Sequence, residues 1–254
     1  MIRRNHLQGQ TLQVGDLNEI TVLVDRCETS LTEVATNFWR KGLNGPPHSH
    51  TGKEQVFFVT EGNGVVNVQN ESHNVSAGSM VYIPEGVVHQ TLAYKDGLRY
   101  FLFNAFLDPA KEGCANYAEH IERVKEIRER QAVTGQASAD PNLGQRASAK
   151  KQRAVADVRG VFSATLLACA DSDNCEVERV GLGKDESRKS EHADREQTLF
   201  VLSGSGTIIV NGETAEIQPG EVIFIPMNAA QSITADSNGL VYLSFSTFAI
   251  PKFG

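Results

Sequence analysis

The sequence predicts an all-β chain of two tandem barrels or sandwiches joined by one short helix. Three observations carry this expectation: a long internal repeat, a two-residue alternation of apolar and polar side chains, and short strands bounded by glycine. HSHTGKEQVFFVTEGNGVVNV at 48–68 matches SEHADREQTLFVLSGSGTIIV at 190–210 at a constant spacing of 142 positions. The spacing pairs Glu54 with Glu196, Gln55 with Gln197, Phe58 with Phe200, Gly62 with Gly204, Gly78 with Gly220 and Pro84 with Pro226, with no gap from 48 to 90. A unit this long exceeds a solenoid repeat, so the copies read as two domains, at 1–108 and 153–254, separated by a helix and linker at 109–152.

Each copy reads as β in the same order. VFFVT at 56–60 and TLFVL at 198–202 are β-branched and aromatic runs stopped by glycine. Val66 and Val68 alternate with Asn67 and Gln69, the pattern of a half-buried strand. Asn211-Gly212 between IIV and ETAEI predicts a tight hairpin, because both turn positions need positive φ. Gly78 and Gly220 open VYIP and VIFIP, where the prolines end pairing. Between the copies the pattern changes. Tyr117, Ile121, Val124 and Ile127 stand at helical spacing in a charged stretch over 115–131, which predicts one amphipathic helix packed on the outside of the first barrel. Residues 132–152 carry almost no large apolar groups and read as a flexible linker.

Composition limits the function. Lys and Arg total 24 against 31 Asp and Glu, and the net charge of −7 leaves no basic footprint for nucleic acid or an anionic membrane. No apolar run reaches the about 18 residues of a spanning helix, and the polar start MIRRNHLQGQ lacks a secretory pattern. Four cysteines without a CxxC spacing read as reduced thiols, which with the polar start implies a cytoplasmic protein. The motifs of hydrolase triads, dinucleotide folds and phosphate loops are all missing from the sequence.

The residues that carry chemistry are His48, His50, Gln55 and His89. His48 and His50 lie two apart on an extended segment, so both side chains face one way. Gln55 starts the next strand, and His89 follows Pro84 and Gly86 after a glycine-led strand. In a closed barrel three imidazoles and an amide oxygen converge inside. Such a set suits one divalent transition metal, Zn, Ni, Fe or Mn. Glu54 is adjacent to Gln55, but a one-residue shift turns a strand side chain to the other face. Gln55 is therefore the ligand, and Glu54 is a solvated carboxylate or a support for the ligands.

Gly42-x5-His48-x-His50-x4-Gln55-x6-Gly62 followed by Gly78-x5-Pro84-x-Gly86-x2-His89 resembles the paired motifs of the cupin superfamily. The match covers both halves, so the chain resembles a bicupin. The resemblance implies two double-stranded β-helix, or jelly-roll, barrels and a metal site in the first. The His-His-Gln-His set departs from the glutamate of most metal-binding cupins at Gln55. It is similar to the set of small cupins that linearise unsaturated uronates. In the second copy the same positions hold Ser190, His192, Gln197 and Gln231. That set reads as an emptied site whose residues hydrogen-bond one another; a manganese or magnesium ion aided by Glu191 or Glu196 is the alternative.

Other candidates have plain readings. His6, His73 and His120 are expected exposed, and Trp39 and Phe38 to pack the strand before the first motif. Arg40, Lys41 and Lys53 read as solvated charges. Tyr82 and Tyr100 read as core residues with satisfied hydroxyls, and Cys169 and Cys175 as spectator thiols. Three imidazoles and an amide leave a divalent ion its full charge, which favours a small anionic chelating molecule. The expected function is a metal-dependent enzyme on a small carboxylate or sugar acid, working by isomerisation, tautomerisation or ring opening. An iron-dependent dioxygenase and a non-catalytic binding or storage bicupin are the alternatives. A homodimer is compatible with the sequence.

Overall fold

The computed structural model describes residues 1–134, 154–157 and 162–249. In chain order the strands are β1 (Ile2–Asn5), β2 (Gln10–Val14), β3 (Asn18–Val24), β4 (Thr32–Trp39), β5 (Lys53–Val68), β6 (Glu71–Ser76), β7 (Ser79–Ile83) and β8 (His89–Phe106). Helix α1 (Tyr117–Thr134) follows. Then come β9 (Ala154–Asp157), β10 (Ala164–Leu167), β11 (Cys175–Leu182), β12 (Ser187–Ser190), β13 (Arg195–Val210), β14 (Glu213–Ile217), β15 (Glu221–Ile225) and β16 (Gln231–Phe248). The all-β expectation, with two barrels and one helix, stands. Of the expected linker, 132–134 continue the helix, and 135–152 lie outside the described residues.

One sheet runs β2-β3-β4-β8-β5-β7-β9 with β6 on β5; the other runs β1-β15-β13-β16-β11-β10 with β12 on β16 and β14 on β13. The sheets exchange a strand each. β1 pairs with β15, Ile2 opposite Phe224, and β9 pairs with β7, Ser79 opposite Asp157. The expected division at 1–108 and 153–254 assigned both strands to the other copy, because four-residue strands without alternation do not reveal their partner.

In each copy two long strands pair along their whole length and bend sharply at two register shifts. β5 and β8 shift at Val59/Glu61 and Gly62/Gly64; β13 and β16 shift at Val201/Ser203 and Gly204/Gly206. At the bend Gly62 has φ +75°, and a Cβ there would sit 2.1 Å from the Gly97 carbonyl oxygen. Gly204 repeats the arrangement, 2.0 Å from the Gly239 oxygen. Only glycine permits both the conformation and the close approach, which accounts for this pair in the repeat.

The strand alternation separates two environments. One face of each barrel builds a shared core: Val56, Phe58, Phe101 and Phe103 pack with Phe200, Phe224, Leu243 and Phe245. Phe101 stacks on Phe200 at 4.9 Å and Phe103 on Phe245 at 5.0 Å. The opposite faces line the barrel interiors, with Phe57, Val66 and Tyr100 in the first copy and Leu199, Ile208 and Tyr242 in the second. Helix α1 does not lie on an outer wall. Tyr117 and Ile121 pack with Val14, Ile20 and Ala35 of β2, β3 and β4, on the interior face, so the helix covers the mouth of the first barrel. No helix among the described residues is long and apolar enough to cross a membrane.

Candidate metal centre

The first barrel holds a cavity of about 620 Å³ lined by His48, His50, Gln55 and His89, with α1 over its mouth. His48 is fixed against the start of β8 by a reciprocal backbone pair with His89, at 3.0 and 2.8 Å. His50 is held through its carbonyl, which accepts from the Gly86 N–H at 2.8 Å. Gly86 turns there with φ +73°, so the Pro84-x-Gly86 frame sets His50 and His89 side by side. Ring centroids lie 4.3 Å apart for His48 and His89, 4.9 Å for His48 and His50, and 5.4 Å for His50 and His89. Their ring nitrogens lie within 4.8 Å of one another, the only such group of His, Cys, Asp or Glu among the described residues.

The orientation suits metal binding. Nδ1 of His48 faces the Pro46 carbonyl at 3.0 Å and Nδ1 of His89 the Val87 carbonyl at 3.1 Å. Each carbonyl accepts an N–H, so the proton sits on Nδ1 and Nε2 keeps its lone pair. The Nε2 of His89 and the Oε1 of Gln55 are buried with no hydrogen-bond partner. Such orphans are costly unless a water or a cation claims them, and beside two further imidazoles a cation suits both. Burial, then Lys53 and the neighbouring imidazoles, hold His50 well below the usual histidine range. Burial and His48 do the same for His89. Both are held as neutral imidazole, the form that ligates metal. The three imidazoles therefore fit a divalent cation, and the neutral Gln55 side chain lines the same cavity.

Several polar residues of the cavity escape sequence reasoning. Glu112 sits in a tight turn where Lys111, Glu112 and Gly113 all have positive φ, at 47°, 61° and 68°. Two successive non-glycine residues in this region mark a strained turn held by its surroundings. Lys111 anchors it, donating from Nζ to the carbonyls of Arg26 and Thr29. The Glu112 carboxylate reaches Lys53 Nζ at 3.0 Å, His120 Nδ1 at 3.5 Å, Arg26 at 3.7 Å and His50 Nδ1 at 3.8 Å. Lys53 is 1% exposed and His120 lines the cavity, so neither is the solvated group its sequence neighbours suggest. His6 also departs from expectation, half-buried with Nδ1 2.8 Å from the Gly220 carbonyl. Tyr100 matches its reading: its hydroxyl accepts from Trp39 Nε1 at 2.9 Å and Asn37 Nδ2 at 3.1 Å.

Glu54 faces away from the cavity, as the alternation requires, but it is neither solvated nor a support for the ligands. It is fully buried between the barrels, accepting from the N–H groups of Asp173 and Asn174 at 2.8 Å and from the Tyr82 hydroxyl. Glu196 does the reciprocal work, accepting from Ser30 and Leu31 at 2.7 and 2.9 Å. Glu196 is thus unavailable to an ion in the second barrel. There Gln231 Nε2 donates to Gln197 Oε1, and Gln197 Nε2 approaches the Ser244 and Ser246 hydroxyls at 3.4 and 3.5 Å. The remaining space is about 10 Å³. The amides hydrogen-bond each other where the first barrel gathers imidazoles.

The family model described as a cupin domain matches residues 37–99 and 177–245. Among curated proteins, a dimethylsulfoniopropionate lyase, DddW of Ruegeria pomeroyi, is 39% identical over 54 residues, or 21% of this chain and 35% of the lyase. The similarity thus spans about a third of that relative. Among solved structures, the Lactobacillus farciminis oxalate decarboxylase formate complex superposes with a TM-score of 0.67 at 13% identity, covering 99% of this chain and 86% of that one. The Ylba protein of E. coli gives 0.69 at 11% identity, covering 96% and 89%, and the coconut allergen cocosin 0.68 at 13%, covering 97% and 85%. These likenesses establish the fold of both halves.

Proposed function

The chain belongs to the cupin domain family, in two copies, and from that premise we propose that it is a metal-dependent enzyme acting on a small carboxylate or sugar acid. The observation that carries this reading is the convergence of His48, His50 and His89 beside the carboxylate of Glu112, in a cavity that Gln55 also lines. His48, His50, His89 and Gln55 would hold a divalent cation, which when bound would supply Lewis-acid chemistry for a carboxylate and for charge on the adjacent carbon. Glu112 is the group that takes the proton from that carbon. The strained turn aims its carboxylate into the cavity, and Lys53 and Arg26 hold it there. Return of the proton from Glu112 to a neighbouring carbon would complete an isomerisation and its return to the adjacent oxygen a tautomerisation; in a ring opening the electron pair left on the carbon would form a double bond as the ring C–O bond breaks, and Glu112 would hand its proton to the departing ring oxygen. Helix α1 shields the site from water through Tyr117 and Ile121. The lyase similarity over 54 residues supports carboxylate chemistry of this type.

The test is proton exchange. Metal-loaded protein is incubated in D2O with a panel of 2-oxo acids and unsaturated uronates, and loss of the proton beside the carbonyl is followed by NMR. Wild type exchanges it. Glu112→Gln slows exchange by about a hundredfold or more, in the range of a lost general base, while carboxylate binding persists. Binding without exchange in wild type would make this a binding protein. Dioxygen uptake by the iron-loaded form without exchange would make it an oxygenase.

A further inference from the structure

Gln55 is the end of a buried chain of side chains that crosses three neighbouring strands. Glu33 of β4 is opposite Asn104 of β8, and Asn104 is opposite Gln55 of β5. Exposures are 1% for Arg26, 0% for Glu33, 1% for Asn104 and 5% for Gln55. The direction of every bond follows from its origin. Arg26 can only donate, and its Nε meets Glu33 Oε2. The other oxygen of that ion-paired carboxylate, Oε1, accepts from Asn104 Nδ2 at 2.7 Å. Asn104 therefore turns Oδ1 toward position 55, where Gln55 Nε2 donates to it at 2.8 Å. With Nε2 tied to Asn104, Oε1 is the lone-pair atom that Gln55 has left for the imidazole cluster, and it has no protein partner.

We propose that Glu33 and Asn104 are positioning residues that lock the carbonyl oxygen of Gln55 onto the metal and exclude a carboxylate from position 55. The inference rests on the metal reading above. A glutamate at 55 would bring an acceptor against Asn104 Oδ1. Turning Asn104 over would move the conflict to Glu33 Oε1, so neither orientation satisfies both neighbours. Buried chains of this kind tolerate no half-satisfied member. The relay thus keeps the ligand set uncharged and leaves the ion its full charge for an anionic substrate. The second barrel provides the contrast. Ser246, opposite Gln197, stands where the first barrel has Asn104, and the Gln197 oxygen is taken by Gln231.

The relay makes a signed prediction for a double-mutant cycle. Glu33→Gln reverses the chain in wild type: the new amide gives its oxygen to Arg26 and its NH2 to Asn104, Asn104 and Gln55 turn over in succession, and Gln55 presents Nε2 instead of Oε1 to the metal. In Gln55→Glu it supplies the missing donor: the new amide gives its oxygen to Arg26 and its NH2 to Asn104, which then turns its own NH2 toward Glu at 55. Zinc affinity, measured by competition with a chromophoric chelator, should fall at least tenfold on adding E33Q to wild type. It should rise at least tenfold on adding E33Q to Q55E. A change of the same sign and size in both backgrounds overturns the relay. If E33Q does not fold, N104L replaces it: with the opposing acceptor gone, Q55E should alter zinc affinity at least tenfold more favourably than it does beside Asn104, and an unchanged ratio overturns the proposal. If no variant binds zinc, the metal reading fails and the proposal that rests on it falls with it; zinc binding with an unchanged cycle overturns the relay alone.

Discussion

Removing the metal should lower the melting temperature through the first barrel alone. An ion that binds the native state at a hundredfold excess over its dissociation constant, and not the unfolded chain, stabilises by about 2.7 kcal/mol. For domains near this size each kcal/mol moves the midpoint by about 2–4 °C, so chelation should lower it by about 5–11 °C. His89→Ala removes an imidazole whose Nε2 is buried without a protein partner, and it also opens a void. The comparison is therefore between metal-loaded and chelated forms of the same variant, so that the void cancels. In His89→Ala that difference should shrink to about a fifth of the wild-type value or less, since loss of a direct ligand should cost at least the about hundredfold in affinity that outer-shell changes can cost. His192→Ala should keep the full difference, because the described residues of the second barrel hold no comparable group of donors. The assay is differential scanning fluorimetry with elemental analysis of the same samples. Two ions per chain, an undiminished shift in His89→Ala, or a lost shift in His192→Ala would refute the assignment.

Two further outcomes follow from buried charges. Glu54→Gln turns one of three acceptor contacts at the inter-barrel face into a clash between donors, and it should cost about 2–4 kcal/mol in urea unfolding; a change below about 0.5 kcal/mol, the range of an ordinary surface substitution, would mean that the lock carries no weight. Burial holds His50, His89 and His120 well below the usual histidine value, whereas in the unfolded chain they take up protons near pH 6.5. The unfolded state then binds more protons, so metal-free protein should lose stability as pH falls below about 6.5, by up to about 1.4 kcal/mol per pH unit for each histidine. Equal urea midpoints at pH 7.5 and 5.5 would contradict these burial assignments.

Local pattern and positional spacing made the fold and the donor set legible. The alternation through VFFVT distinguished Gln55 from Glu54 by face alone, and the structure puts the two residues on opposite faces of β5. What escaped was everything set by the meeting of distant segments. Glu54 needed the turn at Asp173 and Asn174, and no local feature of either segment announces the other. Glu112 reaches the cavity only because Lys111 is tied to Arg26 and Thr29. His120 looked solvated because its neighbours on the helix are charged, yet the helix covers the mouth and turns that residue inward.

The repeat keeps anchors of the inter-barrel face and loses imidazoles of the interior. Outward positions must fit the other copy, and three residues at that face are kept: Glu54 with Glu196, Phe58 with Phe200, Phe103 with Phe245. Each such residue meets its counterpart's surroundings across the interface, so a change in one copy leaves a void or an orphaned N–H in the other. Inward positions answer only to their own barrel, and although His50 with His192, Gln55 with Gln197 and Tyr100 with Tyr242 are kept, the other donor positions differ. There His48 faces Ser190 in the correspondence, His89 faces Gln231 and Asn104 faces Ser246. Coupling across the interface and independence inside the barrels let one copy keep a donor cluster while the other closes on itself with paired amides. The second barrel's contribution to the site is then mechanical. Asn174 donates to the Phe106 carbonyl at 2.6 Å, holding the end of β8 from which the Lys111–Gly113 turn projects Glu112 into the cavity.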